Sequence, residues 1–538
     1  MKGNNDRRKW TVMIYLAGDN NLSDEMIWAL KEMYRIGTYG KFHVAVQFDS
    51  SAANTPPRLY NLDKIPIAAS AGCDVDGIIE MNSLQEALVV HPKSKKDWSL
   101  EDSANPAVLA GFLKWVFTHM KAQHYMLILS GHGSGAVGGL LEDKNPEGRM
   151  TLPSLKRALH KTRKFHRGQK IAILGLDSCT MSTAEVAHEV KEYVDYLVGA
   201  EGFVQNAGWP YHRLLETLLD EPDPQALATQ FVEKYYSYYS DYLSAGVSTD
   251  QSVVHLGTEK WDRVLVNGIK ELSRLLSCEL QKGNRKIRDA LVLAHWEAQS
   301  FNNEQDVDLY DFCSLLISYL DENSYSEIRS YCQSIINNWK SIVPLSKHSG
   351  PMYQFANGLS IYFPWSEVAL DYQNLKFFSD TKWYNFLKNY VDKTCRPPRP
   401  LDDAVPGKLR KPHSIYPVCK EGFIGVGGYP CHRAGGRDSV KAGGRDSAKA
   451  GGRDSAKYGS LSAEELIQLS CMKNFPVGFY HPSPLTLAKL TATISNRNVE
   501  ILQQRICDSP DLKAVIQKLP NEVKDSIAKI LRNNRRKM

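Results

Sequence analysis

The sequence predicts an α/β fold: a mainly parallel sheet flanked by helices, with a helical extension and a small α-helical C-terminal domain. Three observations lead there. From Trp10 to about Ala200, short apolar runs alternate with amphipathic stretches. The apolar runs are nearly unbroken, as in strands buried on both faces, and strand–helix–strand order joins such strands in parallel. After Cys395 the aliphatic content falls and Pro and Gly take over, so the α/β part ends there.

Thr11–Ala17 (TVMIYLA), Phe42–Phe48 (FHVAVQF), Tyr125–Ser130 (YMLILS), Lys170–Leu176 (KIAILGL) and Tyr193–Gly199 (YVDYLVG) read as strands. Leu22–Tyr34, Asn105–Met120, Pro153–Lys164 and Thr180–Lys191 read as helices between them. From about 211 to 393 a helical pattern dominates, with Pro224–Leu243 and Trp261–Leu276 as examples. The first opens with Asp223 placed to cap and Pro224 at the first helical position. One late strand is expected at Leu359–Phe363 (LSIYF). This stretch reads as an extension packed on the core of about 10–210, so that 1–393 form one unit.

Residues 394–460 read as a Pro/Gly-rich linker. Inside it AGGRDSVK from Ala434 is followed by AGGRDSAK from Ala442 and again from Ala450. Units with two glycines and no large apolar side chain cannot offset their ordering entropy, which makes this a tether. Residues 461–538 read as a small helical domain: Ser462-Ala-Glu-Glu465 is a capping box, and Val523, Ile527, Ile530 and Leu531 form a helical stripe.

Composition narrows the function classes. The 538 residues are 43% apolar, 23% charged and 10% aromatic, as in a globular protein. A net charge of +6, partly gathered near the C-terminus, does not indicate a nucleic-acid enzyme. No apolar stretch approaches the length of a membrane span, and the N-terminal MKGNNDRRKW has no secretory h-region, so a cytoplasmic protein is expected. Ten scattered cysteines without CxxC or zinc-ligand spacing fit reduced thiols in that compartment.

Active sites on parallel sheets lie outside the carboxyl ends of the strands. Two predicted strands end there in reactive side chains. After Tyr125–Ser130 comes Gly131-His132-Gly133, within a literal GxGxxG spanning Gly133–Gly138. A phosphate-binding turn must lead directly into a helix. Here Gly138 is followed by loop sequence with two carboxylates, and no acidic residue closes a following strand at the distance a ribose requires, so the loop presents an imidazole instead. The strand Lys170–Leu176 ends in Asp177-Ser178-Cys179, which puts the thiol outside the core near a predicted helix N-terminus that favours thiolate. Side chains two apart share a face, so Asp177 lies beside Cys179. A carboxylate there raises a thiol pKa, so its useful role is to pair with a cationic substrate side chain. His132 and Cys179 lie 47 residues apart, close to the roughly fifty known for caspase-type His and Cys.

Weaker candidates are set aside. His188-Glu189-Val-Lys-Glu192 misses the zinc-peptidase HExxH by its last residue and reads as a solvated helix face. No GxSxG surrounds Ser134. Asp308-Leu-Tyr-Asp311 reads as a helix start rather than a carboxylate pair.

YLAGDNNL (Tyr15–Leu22), ILSGHGSGA (Ile128–Ala136), ILGLDSCTMSTAEVA (Ile173–Ala187), AEGFVQNAGWPY (Ala200–Tyr211) and GLSIYFP (Gly358–Pro364) together resemble the clostripain family of cysteine peptidases, over roughly residues 10 to 393. The resemblance implies a caspase-haemoglobinase-like fold and an endopeptidase cutting peptides or proteins after Arg or Lys. It implies His132 as general acid/base and Cys179 as nucleophile. The backbone N–H groups of Gly133 and Cys179 would form the oxyanion site, and Asp177 would lie in the S1 pocket. It implies no cofactor for the chemistry itself, though several members respond to calcium; no EF-hand loop occurs here and no calcium ligands are assigned. Self-processing between His and Cys is implied too, with Lys144 and Arg149 in the Leu141–Met150 loop as cleavage candidates. The accessible Arg437, Arg445 and Arg453 of the repeats are further candidates, weighed against a harmless spacer. The tail could recruit a protein partner in an intracellular signalling or defence role. The alternative from another class is a catalytically silent scaffold or binding protein.

Overall fold

The structure, a computed structural model, describes residues 8–51, 57–64, 102–240, 248–302, 305–365 and 367–394. The expected linker with Arg437, Arg445 and Arg453 and the expected helical domain over 461–538 lie outside the described residues. The apolar runs become strands, in chain order β1 Arg8–Gly18, β2 His43–Ser50, β3 Arg58–Asn61 and β4 Ala122–Ser130. After a short hairpin of β5 Leu140–Lys144 and β6 Glu147–Met150 come β7 Ile171–Asp177, β8 Val194–Gly199 and β9 Thr249–His255. The last four are β10 Ser300–Phe301, β11 Asp306–Asp308, β12 Leu345–Ser349 and β13 Ser360–Tyr362.

One eight-stranded sheet has the order β12-β9-β8-β7-β4-β1-β2-β3. Its middle, from β8 through β2, is parallel, while β3, β9 and β12 join through antiparallel pairings at the edges. Alternation along the central strands divides the core. Met13, Tyr15, Leu127, Leu129, Leu174 and Leu176 pack one face, against the helices Pro106–His119, Leu152–Thr162 and Ala184–Val190. Val12, Ile14, Leu16, Met126, Ile128 and Ile173 pack the other, against Ser23–Ile36, Tyr211–Glu216 and Pro224–Ser240. Each such fully buried side chain contributes roughly 1.5–3 kcal/mol.

Local chemistry sets the helix ends. Asn105 accepts from the Ala107 N–H and Pro106 follows where no donor is needed; Thr151 accepts from Ser154 in the same way. Asp223 accepts from the Ala226 N–H at 2.8 Å, as its position foretold. The expected helix from Trp261 begins as a wide π turn, Trp261–Val266, before Asn267–Gln281. The extension holds more sheet than its single expected strand. β9 and β12 lengthen the main sheet, and β13 pairs with β11 in a separate three-stranded sheet. No helix among the described residues is long and apolar enough to cross a membrane.

Candidate active site

The strand order reverses at β1: β2 lies on one side of it and β4, β7 and β8 lie on the other. A crevice opens outside the carboxyl ends at such a switch point. The ends are level, since Leu16 pairs with Ser130 and Ser130 with Asp177. The turns beyond them carry Asn21, His132 and Cys179. They are tied together by backbone bonds: Gly131 N–H donates to the Asp177 carbonyl at 3.2 Å, and Leu141 N–H to that of His132 at 2.8 Å. A Cβ at Gly133 would lie 2.4 Å from the Cys179 carbonyl oxygen, so only glycine lets the two turns meet. Gly133→Ala is expected to cost activity at least about 10-fold by forcing the turns apart, checked by kcat/KM on a peptide substrate. The GxGxxG leads into a single helical turn, Gly135–Gly138, and back into β5, so no helix N-terminus awaits a pyrophosphate.

His132, Cys179 and Asp177 line one cleft of about 460 Å³, partly open to solvent. Its walls are Leu22, Glu25 and Met26 of the first helix and its entry, the segment from Val204 to Gly208, and Tyr211. Cys179 is partly exposed, and its thiol donates to the Val204 carbonyl at 3.7 Å. Burial pushes this thiol up to about 11, and the charges of Asp177 and Asp250 push the same way. The expected thiolate-stabilising helix end is absent: the helix starts at Ala184, capped by Thr183, not at Thr180. The turn Cys179–Thr183 passes under the 200–202 segment instead, with Thr180 N–H bonded to the Gly202 carbonyl at 2.9 Å and Ser182 N–H to that of Ala200 at 2.8 Å. Burial also holds His132 below its ordinary value, against Glu142 and together with Arg149 and Lys144. Near neutral pH the cleft therefore holds a neutral thiol and a neutral imidazole, a donor and an acceptor of one proton.

Asp177 is 5% exposed. Its Oδ2 accepts from Ser130 Oγ and Tyr211 OH, each at 2.9 Å, while Oδ1 has no partner although it is buried. Burial pushes the carboxyl up to about 6 against these bonds and one from the Trp209 N–H. Gly208, at φ +65, closes over it, and a Cβ there would lie 2.9 Å from Oδ2. Behind this wall, Asp250 accepts from the N–H groups of Glu201 at 2.7 Å and Gly202 at 3.0 Å, and Tyr353 OH accepts from Phe203 N–H at 3.0 Å. Sequence reasoning missed Asn21, Ser130, Tyr211, Asp250 and Tyr353. Asn21, Ser130 and Tyr211 did lie in the quoted motifs, just past one strand, at the end of the next and beside the glycine turn.

Other expectations resolve differently. Leu141–Met150 is the paired hairpin β5–β6, not a loose loop. Lys144 is exposed near its tip, and Arg149 is held by Glu142 at 2.6 Å and Ser134 Oγ at 3.4 Å. His188 and Glu189 are buried, not solvated. His188 bonds Asp380 at 2.9 Å, and Glu189 pairs with Lys156 at 3.0 Å and accepts from the Phe377 N–H. Asp308 caps the helix Leu309–Tyr319 by accepting from Asp311 N–H at 2.7 Å, as expected of a helix start. Among the described residues no cluster of His, Cys, Asp or Glu is arranged to hold a metal ion.

A thiol and an imidazole at neighbouring carboxyl ends of a mostly parallel sheet, over a buried carboxylate, fit the needs of a cysteine peptidase. The chain belongs to the clostripain family, which matches residues 14–390, and is thus a peptide-bond hydrolase. It is 22% identical to clostripain of Hathewaya histolytica over 464 residues, covering 71% of this chain and 80% of that one. Among solved structures, a secreted C11 cysteine protease of Bacteroides thetaiotaomicron bound to an irreversible peptide inhibitor aligns with a TM-score of 0.49 and 18% identity, over 70% of this chain and 99% of the other. An inactive zymogen C11 protease of Parabacteroides distasonis aligns at 0.48 and 20%, over 70% and 99%.

Proposed function

We propose that this peptidase cleaves after Arg or Lys through Cys179 and His132, with Asp177 selecting the basic side chain. The observation that carries the specificity is the buried, unpartnered Oδ1 of Asp177 in the cleft that Cys179 and His132 also line. An unpaired buried acceptor is costly, and a guanidinium or ammonium would satisfy it. The thiol gives its proton to the imidazole as sulfur attacks the scissile carbonyl, with the N–H groups of Gly133 and Cys179 as oxyanion donors. The imidazolium then protonates the leaving amine, leaving a thioester. Water, deprotonated by the imidazole, attacks the thioester, and the thiol leaves reprotonated. The test is hydrolysis of fluorogenic peptides with Arg, Lys or neutral P1, with and without calcium. Hydrolysis indifferent to P1 charge would overturn the specificity.

Self-processing falls between the two catalytic turns. The Lys144–Asn145 bond sits near the exposed tip of the β5–β6 hairpin, whereas Arg149 precedes the fully buried Met150. Wild type is therefore expected to break after Lys144, and Cys179→Ala to stay whole. Intact-mass analysis checks this, and an unbroken wild-type chain would reject it. A cytoplasmic setting and a partner for residues 461–538 remain part of this reading, tested by cell fractionation and by pull-down with the full chain against one truncated at 460.

A further inference from the structure

The imidazole of His132 does not choose its own orientation. Its Nε2 lies 2.8 Å from Oδ1 of Asn21, in the turn beyond β1. We propose that Asn21 is a positioning residue for His132, extending the pair to Cys179–His132–Asn21; this rests on the roles given above to Cys179 and His132. An amide oxygen only accepts, so Nε2 carries the proton and Nδ1 keeps the lone pair that must take the thiol proton. Once the ring gains its second proton, the same contact becomes charge-assisted and strengthens. It therefore favours the imidazolium formed during acylation over the resting ring.

The neighbouring residue fixes the amide. Asn20 Nδ2 donates to the Ala17 carbonyl at 2.9 Å and the Glu142 carbonyl at 2.8 Å, and its Oδ1 accepts from Leu22 N–H at 2.9 Å. The Asn20 carbonyl accepts from Ser51 Oγ at 2.9 Å. This clamp joins β1, the first helix and the hairpin beyond His132. Asn21, which comes next, is thereby presented to the ring from the adjacent strand end. Asn20 serves the backbone; Asn21 is exposed and bonds the ring.

The charges acting on the ring are Glu142, Arg149 and Lys144, all in the hairpin, while Glu25 and Asp177 line the same cleft. Changes at Asn21 leave all of these in place. The experiment compares full-length wild type, Asn21→Ala, Asn21→Asp and Cys179→Ala on an Arg-P1 peptide across pH. Asn21→Ala is expected to lower kcat about 10- to 100-fold, as for loss of one hydrogen bond to a charged group, with KM within about twofold. The pH limb that reports the imidazole should move down in Asn21→Ala and up in Asn21→Asp, because a carboxylate in contact favours the charged ring. A merely structural role would lower activity without moving that limb in opposite directions. If Asn21→Ala keeps kcat and both variants keep the wild-type limb while Cys179→Ala is inactive, the role of Asn21 is refuted and the thiol–imidazole reading stands. Activity surviving in Cys179→Ala would remove both.

Discussion

Cys179→Ala is expected to lower turnover of an Arg-P1 peptide by about 10⁴-fold or more while leaving the thermal midpoint within about 2 °C of wild type. The two halves of that result have separate causes. The thiol is partly exposed, with one weak bond, to Val204, so its removal leaves little cavity and no strong donor unpaired. Among the described residues it is also the one thiol lining the cleft, and the bases that line the cleft with it are the His132 imidazole and the Glu25 and Asp177 carboxylates. With the thiol pushed up to about 11, thiolate at neutral pH depends on transfer to His132. Alkylation by iodoacetamide near neutrality should therefore be faster in wild type, where the imidazole can take the proton as sulfur attacks, than in its absence. In His132→Ala it should be slow there, rising as pH approaches about 11. Fast neutral alkylation in the His132 variant would show that the imidazole is not the base.

Asp177→Asn should lower kcat/KM for Arg-P1 peptides about 10²- to 10³-fold and change neutral P1 substrates little, since truncating a buried charge pair costs several kcal/mol. Asparagine is the informative change, because its carbonyl can still accept from Ser130 and Tyr211, where alanine would strand both donors. The same carboxyl gives a pH signature. Burial raises it to about 6, so in the free enzyme it is anionic above that pH and neutral below. Activity on basic P1 should show, as pH drops through about 6, a fall beyond that of neutral P1 substrates, and Asp177→Asn should lose this extra fall while keeping the limb of the His132 imidazole. A variant with unchanged preference, or a wild type without the extra fall, would move the specificity site elsewhere.

Much of the centre was legible because the parallel strands are apolar throughout, which locates their carboxyl ends and the turns just beyond. His132 and Cys179 were located just beyond those ends in this way. The helix start at Ala184 was not, because Thr180 to Thr183 look as helical as the Ala184–Val190 segment itself and are ordered by contacts from the distant 200–202 segment. β9 (TDQSVVH) was hidden by its polar residues: Asp250 serves backbone donors of Glu201 and Gly202, Thr249 bonds the Tyr235 hydroxyl and Ser252 the Gly358 carbonyl, all across the chain. His188 and Glu189 were misjudged for the same reason: their partners Asp380, Lys156 and Phe377 lie far along the sequence. Long-range polar pairing leaves no local period to read.

The pairing of β4 with β7 bears on what a broken chain would be. Any cut in the β5–β6 hairpin leaves β4 on one fragment and β7 on the other, hydrogen-bonded side by side from Met126–Ile173 to Ser130–Asp177 in the middle of the sheet. The imidazole would then belong to one polypeptide and the sulfur to its mate. Separating them would demand tearing open the centre of the core, so simple dilution should not dissociate the nicked enzyme, whereas denaturant should release two pieces that are each inert alone.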